Sequence, residues 1–178
     1  MNLSIRKLVT AAVIGALYAA LTLALSPISY GQFQARVSEV LCILPFFFPS
    51  SAVGLAIGCI IANLLGPGMG PLDIVFGSLA TLLAGICTAA IGIRARKNEK
   101  TGWGVCIVAC LMPVLFNAPI VGAVIAFVSS EYGFWEGLLI YGGWVGLGEA
   151  VVMLLLGLPV MRYFLKSATF KEYFNKLK

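Results

Sequence analysis

The sequence predicts an all-α integral membrane protein, a bundle of six transmembrane helices with both termini in the cytoplasm. Three observations lead there. Of the 178 residues, 61% are hydrophobic and only 11% charged, with a mean hydropathy of +1.02; soluble domains hold roughly 25% charged residues. The apolar runs are long and continuous, where a membrane β-barrel would alternate polar and apolar residues. Eleven of the twelve Lys and Arg residues then fall on one predicted side, leaving Arg36 alone on the other. A bias of that kind marks the cytoplasmic face and requires an even number of crossings.

Six segments satisfy the need for about 20 apolar helical residues per crossing, or approach it: 5–26, 36–48, 50–65, 72–93, 102–128 and 135–164. The first follows Arg6 and Lys7; its apolar stretch is too long for a signal peptide and no cleavage site follows it. The second and third are short and interrupted by Pro45 and Pro49, so they are expected to be tilted, broken or incompletely spanning. Basic residues at 94–100 and beyond 162 mark the inner ends of the fourth and sixth segments. From 166 to 178 lysines interleave with Phe170, Tyr173, Phe174 and Leu177 at helical spacing, predicting an amphipathic helix on the inner membrane surface. No soluble domain and no repeat of one half in the other is evident, so the chain reads as a single membrane domain, 1–178. The net charge of +5 is explained by these flanking clusters and not by nucleic acid.

Ionisable or amide side chains within apolar segments are costly, and they mark candidate function. Glu149 sits in Gly146-Leu147-Gly148-Glu149 near the middle of the last segment. Arg36 and Glu39, three apart, are expected to share a helix face, either as an ion pair or with Glu39 turned to a cavity and Arg36 orienting it. Asn63 closes the third segment and Asp73 opens the fourth, where a helix cap is the simpler reading of an aspartate. Asn117 lies between Pro113 and Pro119, whose rings must free backbone acceptors. The predicted outer half carries Glu39, Asp73, Glu131, Glu136 and Glu149 against Arg36, which suits a cationic or donor-rich ligand. Tyr141 and Trp144 are expected to share a face and offer a stacking surface. Trp135 reads as an interfacial residue, and Phe46-Phe47-Phe48 as lipid-facing.

Small residues recur at four-residue spacing: Ala12, Ala16, Ala20 and Ala24, the neighbouring row Ala11, Gly15 and Ala19, and Gly54, Gly58 and Ala62. Such rows let helices approach closely, inside the bundle or against another membrane subunit. Several chemistries are excluded. There is no histidine for a Ser–His dyad or a His-ligated zinc, and Asp73 is the sole aspartate, so no aspartyl dyad forms. No phosphate-binding GxxxxGK[ST] loop is present. The five cysteines lie in apolar runs without a CxxC pair, as buried small hydrophobes do. The chain reads as a non-enzyme with neither metal nor cofactor.

The runs Ser26-Pro27-Ile28-Ser29-Tyr30-Gly31 and Gln34-Ala35-Arg36-Val37-Ser38-Glu39 resemble the queuosine-precursor transporter (QueT) family. So do Gly58 to Asn63, Asp73 to Thr81 and Gly146 to Glu149, and the likeness covers nearly the whole chain. The resemblance implies a bacterial plasma-membrane S component of an energy-coupling factor (ECF) transporter: a high-affinity binding subunit that topples to carry its solute inward. It implies docking of the Ala12, Ala16, Ala20 face on a T component driven by two ATPase subunits. The implied substrate is a 7-deazaguanine such as queuine or a pre-queuosine base. Glu39, Asp73 and Glu149 would accept its N–H donors, Asn63 and Asn117 would pair with its mixed edge, and Tyr30 or Trp144 would stack on it. Arg36 is expected nearby, and the loop from Tyr30 to Gln34 would act as a lid. Another vitamin-like solute, a solitary transporter, a membrane enzyme and an assembly protein are the competing readings.

Overall fold

The computed structural model describes residues 3–30, 35–68, 70–98 and 101–167. Gln34 and nearly all of the expected amphipathic tail lie outside the described residues. Helix α1 (Leu3–Ala24) is followed by the single turn α2 (Ser26–Ser29), a 3-10 helix (Val37–Phe46) and α3 (Ser51–Leu65). A π-turn (Asp73–Gly77) opens α4 (Ser78–Lys97), and α5 (Trp103–Val128) comes next. Helix α6 (Phe134–Val152) runs through a second π-turn (Met153–Gly157) into α7 (Leu158–Lys166). Among the described residues there is no strand.

Four helical stretches are long and apolar enough to cross a membrane: Ile5–Ala24, Asp73–Lys97, Trp103–Val128 and Phe134–Lys166. The second and third predicted segments form shorter helices. Ten residues of 3-10 helix, at about 2 Å rise each, extend only about 20 Å, less than the roughly 30 Å hydrocarbon layer. Pro45 lies within that helix and Pro49 in the turn that follows it. The interruption expected at these prolines is therefore present. Neither segment is a full-length α-helical span.

Glycine sets the packing of two helix pairs. A methyl group on Gly54 would strike the Ala11 carbonyl, and one on Gly58 would strike the carbonyl of Gly15, so α1 and α3 meet at backbone distance. The row Ala11, Gly15, Ala19 is used here, while Ala12, Ala16 and Ala20 point out of the bundle. Helices α5 and α6 approach as closely: a Cβ on Gly122 would lie 2.5 Å from the Gly142 Cα. The two prolines do not break α5, which is one helix through both. The carbonyl of Ala109, released by Pro113, accepts a hydrogen bond from Thr88 Oγ1 at 3.4 Å.

The phenylalanine run corrects the lipid-facing expectation. Phe46, Phe47 and Phe48 are all buried, in a cluster with Cys106, Cys110, Met153 and Met161. The chain turns inward after the 3-10 helix, and Arg96 fixes the turn by donating to the Phe46 carbonyl while lying over the Phe46 ring. Trp135, by contrast, is largely exposed, as an interfacial residue should be. Four cysteines are buried and Cys87 is half-buried.

Candidate binding site

The 3-10 helix carries Glu39 into the interior, where 1% of its surface is exposed. Its Oε1 accepts a hydrogen bond from the hydroxyl of Tyr18 on α1, and its Oε2 one from Cys42 Sγ at 2.9 Å. Cys42 reaches it because residues three apart stack above one another on a 3-10 helix. A second tie between α1 and the 3-10 helix joins the hydroxyls of Thr22 and Ser38 at 2.6 Å. Both oxygens of Glu39 are thus held by donors.

Glu149 arrives from α6, also buried, and its Oε1 accepts from Asn117 Nδ2 at 2.7 Å. The carboxyls of Glu39 and Glu149 act on one another electrostatically across the interior. Gly148 and the π-turn Met153–Gly157 flank it in sequence; π-turns are frequent where a helix is bent to serve a site. Glu39 and the Asn117–Glu149 pair are thus all buried in the bundle interior, drawn from three elements distant in the chain.

Arg36 lies nearby and does not form an ion pair with Glu39, the first of the two arrangements considered for them. Nε donates to the Ser29 carbonyl at 3.1 Å and Nη2 to Asn63 Oδ1 at 3.2 Å, with Nη1 4.0 Å from Cys59 Sγ. The reason is local backbone. Arg36 is extended (φ −76°, ψ 99°) just before the helix begins, so the three-residue spacing does not put it on Glu39's face. Asn63 completes the connection, donating from Nδ2 to the Asp73 carbonyl at 3.0 Å. Gly77 is needed at this point, since a Cβ there would lie 3.0 Å from Asn63 Nδ2.

Tyr30 closes the group on the loop side. Its hydroxyl donates to the Ala62 carbonyl at 2.6 Å, its ring covers Gly66, and the Arg36 guanidinium sits 5.4 Å from the ring centre. Burial raises the phenol above its usual pKa of 10.0, against the opposing pull of Arg36.

Two predicted site residues lie elsewhere. Asp73 Oδ2 accepts from the Gly70 amide at 3.1 Å, three residues back across Pro71. That is the reach-back half of a capping box, with proline at the first helical position. Its side chain serves the start of the helix and not the carboxyl pair. Trp144 is 48% exposed, whereas Tyr141 is buried with its hydroxyl 2.8 Å from both Ser129 Oγ and Glu131 Oε2. The boundary between the inside and outside of α6 falls between them, so they do not form one stacking face.

Sequence reasoning missed Tyr18, Cys42 and Cys59. Tyr18 is the only tyrosine in the first segment and lies one helical turn before Thr22, a polar pair on one face that could have identified it. A groove of about 510 Å³ runs between the first π-turn and α5, lined by Leu72, Phe76, Pro119, Val124 and Phe127 among others. Its walls are apolar and offer almost no hydrogen bonds. Among the described residues no cluster of His, Cys, Asp or Glu could hold a metal ion.

Comparison with known proteins agrees with the resemblance drawn from the motifs. One relative, the queuosine precursor transporter QueT of Lactococcus lactis subsp. cremoris (strain MG1363), is 42% identical over 78 residues. That alignment covers 43% of this chain and 45% of the relative, less than half its length. No solved structure matches. The family model described as QueT transporter matches residues 8–166, nearly the whole chain, and the described residues are helical, largely apolar and without a strand: the chain belongs to the QueT transporter family.

Proposed function

We propose that the chain is the substrate-binding S component of an ATP-driven ECF uptake transporter, capturing a 7-deazaguanine precursor of queuosine from outside the bacterial plasma membrane. The observation that carries this reading is the burial of Glu39, Arg36 and Asn63 and of the bonded pair Asn117–Glu149 inside a largely apolar bundle. Buried carboxyls are costly without partners, and a guanine-like edge presents the N–H donors that carboxylates accept in short, charge-assisted bonds. Asn117 and Asn63 supply mixed donor and acceptor groups, Arg36 orders Asn63, and Tyr30 is the aromatic cover nearest the group. The name of the Lactococcus relative supports the substrate.

Six membrane segments leave both termini inside; the 3-10 helix, too short to span alone, is packed between α1 and α4, and α3 lies along α1 with its other face outward. Ala12, Ala16 and Ala20, small and exposed along α1, form the face that docks a T component bearing two ATPase subunits. ATP hydrolysis resides on those partners. Titration of the purified protein with queuine and pre-queuosine bases by calorimetry or thermal shift tests the substrate, and saturable binding of at least one is expected. No response to any deazapurine, with response to another vitamin-like solute, replaces the substrate and keeps the class. Uptake in cells lacking the ATPase module tests the coupling; undiminished uptake refutes it.

A further inference from the structure

We propose that Arg162, seated against Trp103 where α5 begins, is the centre of a binding site for the phosphate of an anionic phospholipid. The site stands apart from the identity of the solute. Its first support is a cation without a counter-charge. Arg162 Nη1 donates to the Thr101 carbonyl at 2.9 Å and lies 4.0 Å from Cys106 Sγ, and the guanidinium carbon stands 4.6 Å from the centre of the Trp103 ring. Each of these partners is neutral, and Nε is buried with no hydrogen-bond partner among the described residues. The acids of the described residues are Glu39 and Glu149 in the interior, and Asp73, Glu131 and Glu136 at the opposite end of the long helices. A partly desolvated cation with neutral partners is costly, and an anion relieves that cost.

Depth identifies the kind of anion. Trp103 is the first residue of the span Trp103–Val128, and Arg162 and Lys166 lie in the last turns of the span Phe134–Lys166, so all three sit where the chain leaves the hydrocarbon. Trp103 and Tyr163 are 59% and 69% exposed there, as aromatic residues at headgroup level are. Residues four apart share a helix face, which places the exposed Lys166 one turn beyond Arg162 on α7. Gly102 and Gly104 flank Trp103 with nothing within 4 Å of where a Cβ would stand, so this corner is open to a headgroup. Exposed Arg94 and Lys97 close the neighbouring end of α4. The sequence puts eleven basic residues on this side against two acids, Glu99 and Glu172, an excess that complements an anionic lipid better than a zwitterionic one. Among the described residues only Nη1 of Arg162 finds acceptors, which leaves Nη2 to bond phosphate oxygens. Trp103 shields one face of the guanidinium from water, and Lys166 adds a second charge.

The test uses the full chain in mild detergent, titrated with phosphatidylglycerol, with phosphatidylcholine of the same acyl chains and with glycerol 3-phosphate. Native mass spectrometry reads the affinities, and the melting temperature is followed alongside. Phosphatidylglycerol should bind tighter than phosphatidylcholine by about 10-fold or more, and should raise the melting temperature where glycerol 3-phosphate does not. Arg162→Gln should remove most of that preference, whereas Arg6→Gln, the same change in charge on α1, should leave it within about twofold. If Arg162→Gln does not fold, Lys166→Gln takes its place, with a loss of about 5-fold in the preference expected. A purely structural Arg162 would lower the melting temperature equally in the two lipids and leave the preference intact, which overturns the site. Equal affinity for the two lipids also overturns it, as does an equal loss in Arg6→Gln, which would mean diffuse attraction by the whole basic end. Saturation by glycerol 3-phosphate at the same concentrations would make this a site for a soluble anion and overturn the lipid assignment.

Discussion

At the scale of single residues, the weight falls on how each buried polar atom is satisfied. Glu39 is held by Tyr18 and Cys42, and Glu149 by Asn117, so each carboxyl is oriented before any ligand arrives. Removing one donor leaves a buried acceptor unsatisfied, which costs about 1–3 kcal/mol. Tyr18→Phe should therefore lower thermal stability in detergent and weaken deazapurine binding together. Unchanged values of both would mean that the Tyr18 hydroxyl has no part in ordering Glu39. Asp73 gives the opposite expectation. As a cap it contributes about 0.5–2 kcal/mol to the start of its helix, so Asp73→Ala should lower the melting temperature while affinity stays within twofold or so. A large loss of affinity at preserved stability would return Asp73 to the list of ligand contacts.

At the scale of elements, the two small-residue rows of α1 have separate fates. Gly54 and Gly58 press against the row Ala11, Gly15, Ala19, whereas Ala12, Ala16 and Ala20 remain exposed. Overpacking a close helix contact typically costs about 1–3 kcal/mol, occasionally more. Gly54→Val places its side chain on the Ala11 carbonyl, and it should reduce the yield of folded protein in size-exclusion chromatography. Ala16→Leu and Ala20→Leu place theirs outside the bundle. They should leave folding and ligand affinity near the original values and abolish energised uptake. Loss of folding in these two variants would show that the exposed row is structural after all. The π-turns belong at this scale too. Asp73–Gly77 brings its backbone to Asn63, and Met153–Gly157 follows the turn that delivers Glu149.

At the scale of the whole molecule, glycines bring α1 against α3, α5 against α6, and α4 against both α3 and the 3-10 helix, with Glu39 tied to α1 and Glu149 to α5. The charge bias predicts the orientation of the assembly. Cysteines introduced at Ser130 and Lys97 lie at opposite ends of the long helices, while the native thiols are buried or half-buried. A membrane-impermeant maleimide should label Ser130→Cys in intact cells and Lys97→Cys only after permeabilisation. The reverse pattern would invert the proposed topology.

What the sequence determined by itself is what composition and local order control. Continuous apolar runs of sufficient length leave the backbone no solution but helix, so the class, the four long helices and the shortness of the 36–48 and 50–65 segments were all legible. Glu39, Glu149 and Asn117 were legible for a related reason: a polar residue in an apolar run is conspicuous wherever it points. Where each one points was not legible, because direction depends on the backbone state of a few residues and on elements far away in the chain. The extended φ,ψ of Arg36 took its guanidinium to Asn63, away from the helix face it was expected to share with Glu39. The inward turn after the 3-10 helix buried three phenylalanines that composition assigned to lipid. Tertiary packing alone decided that the Tyr18 hydroxyl would reach Glu39, and that Asn117 and Glu149, 32 positions apart in sequence, would pair.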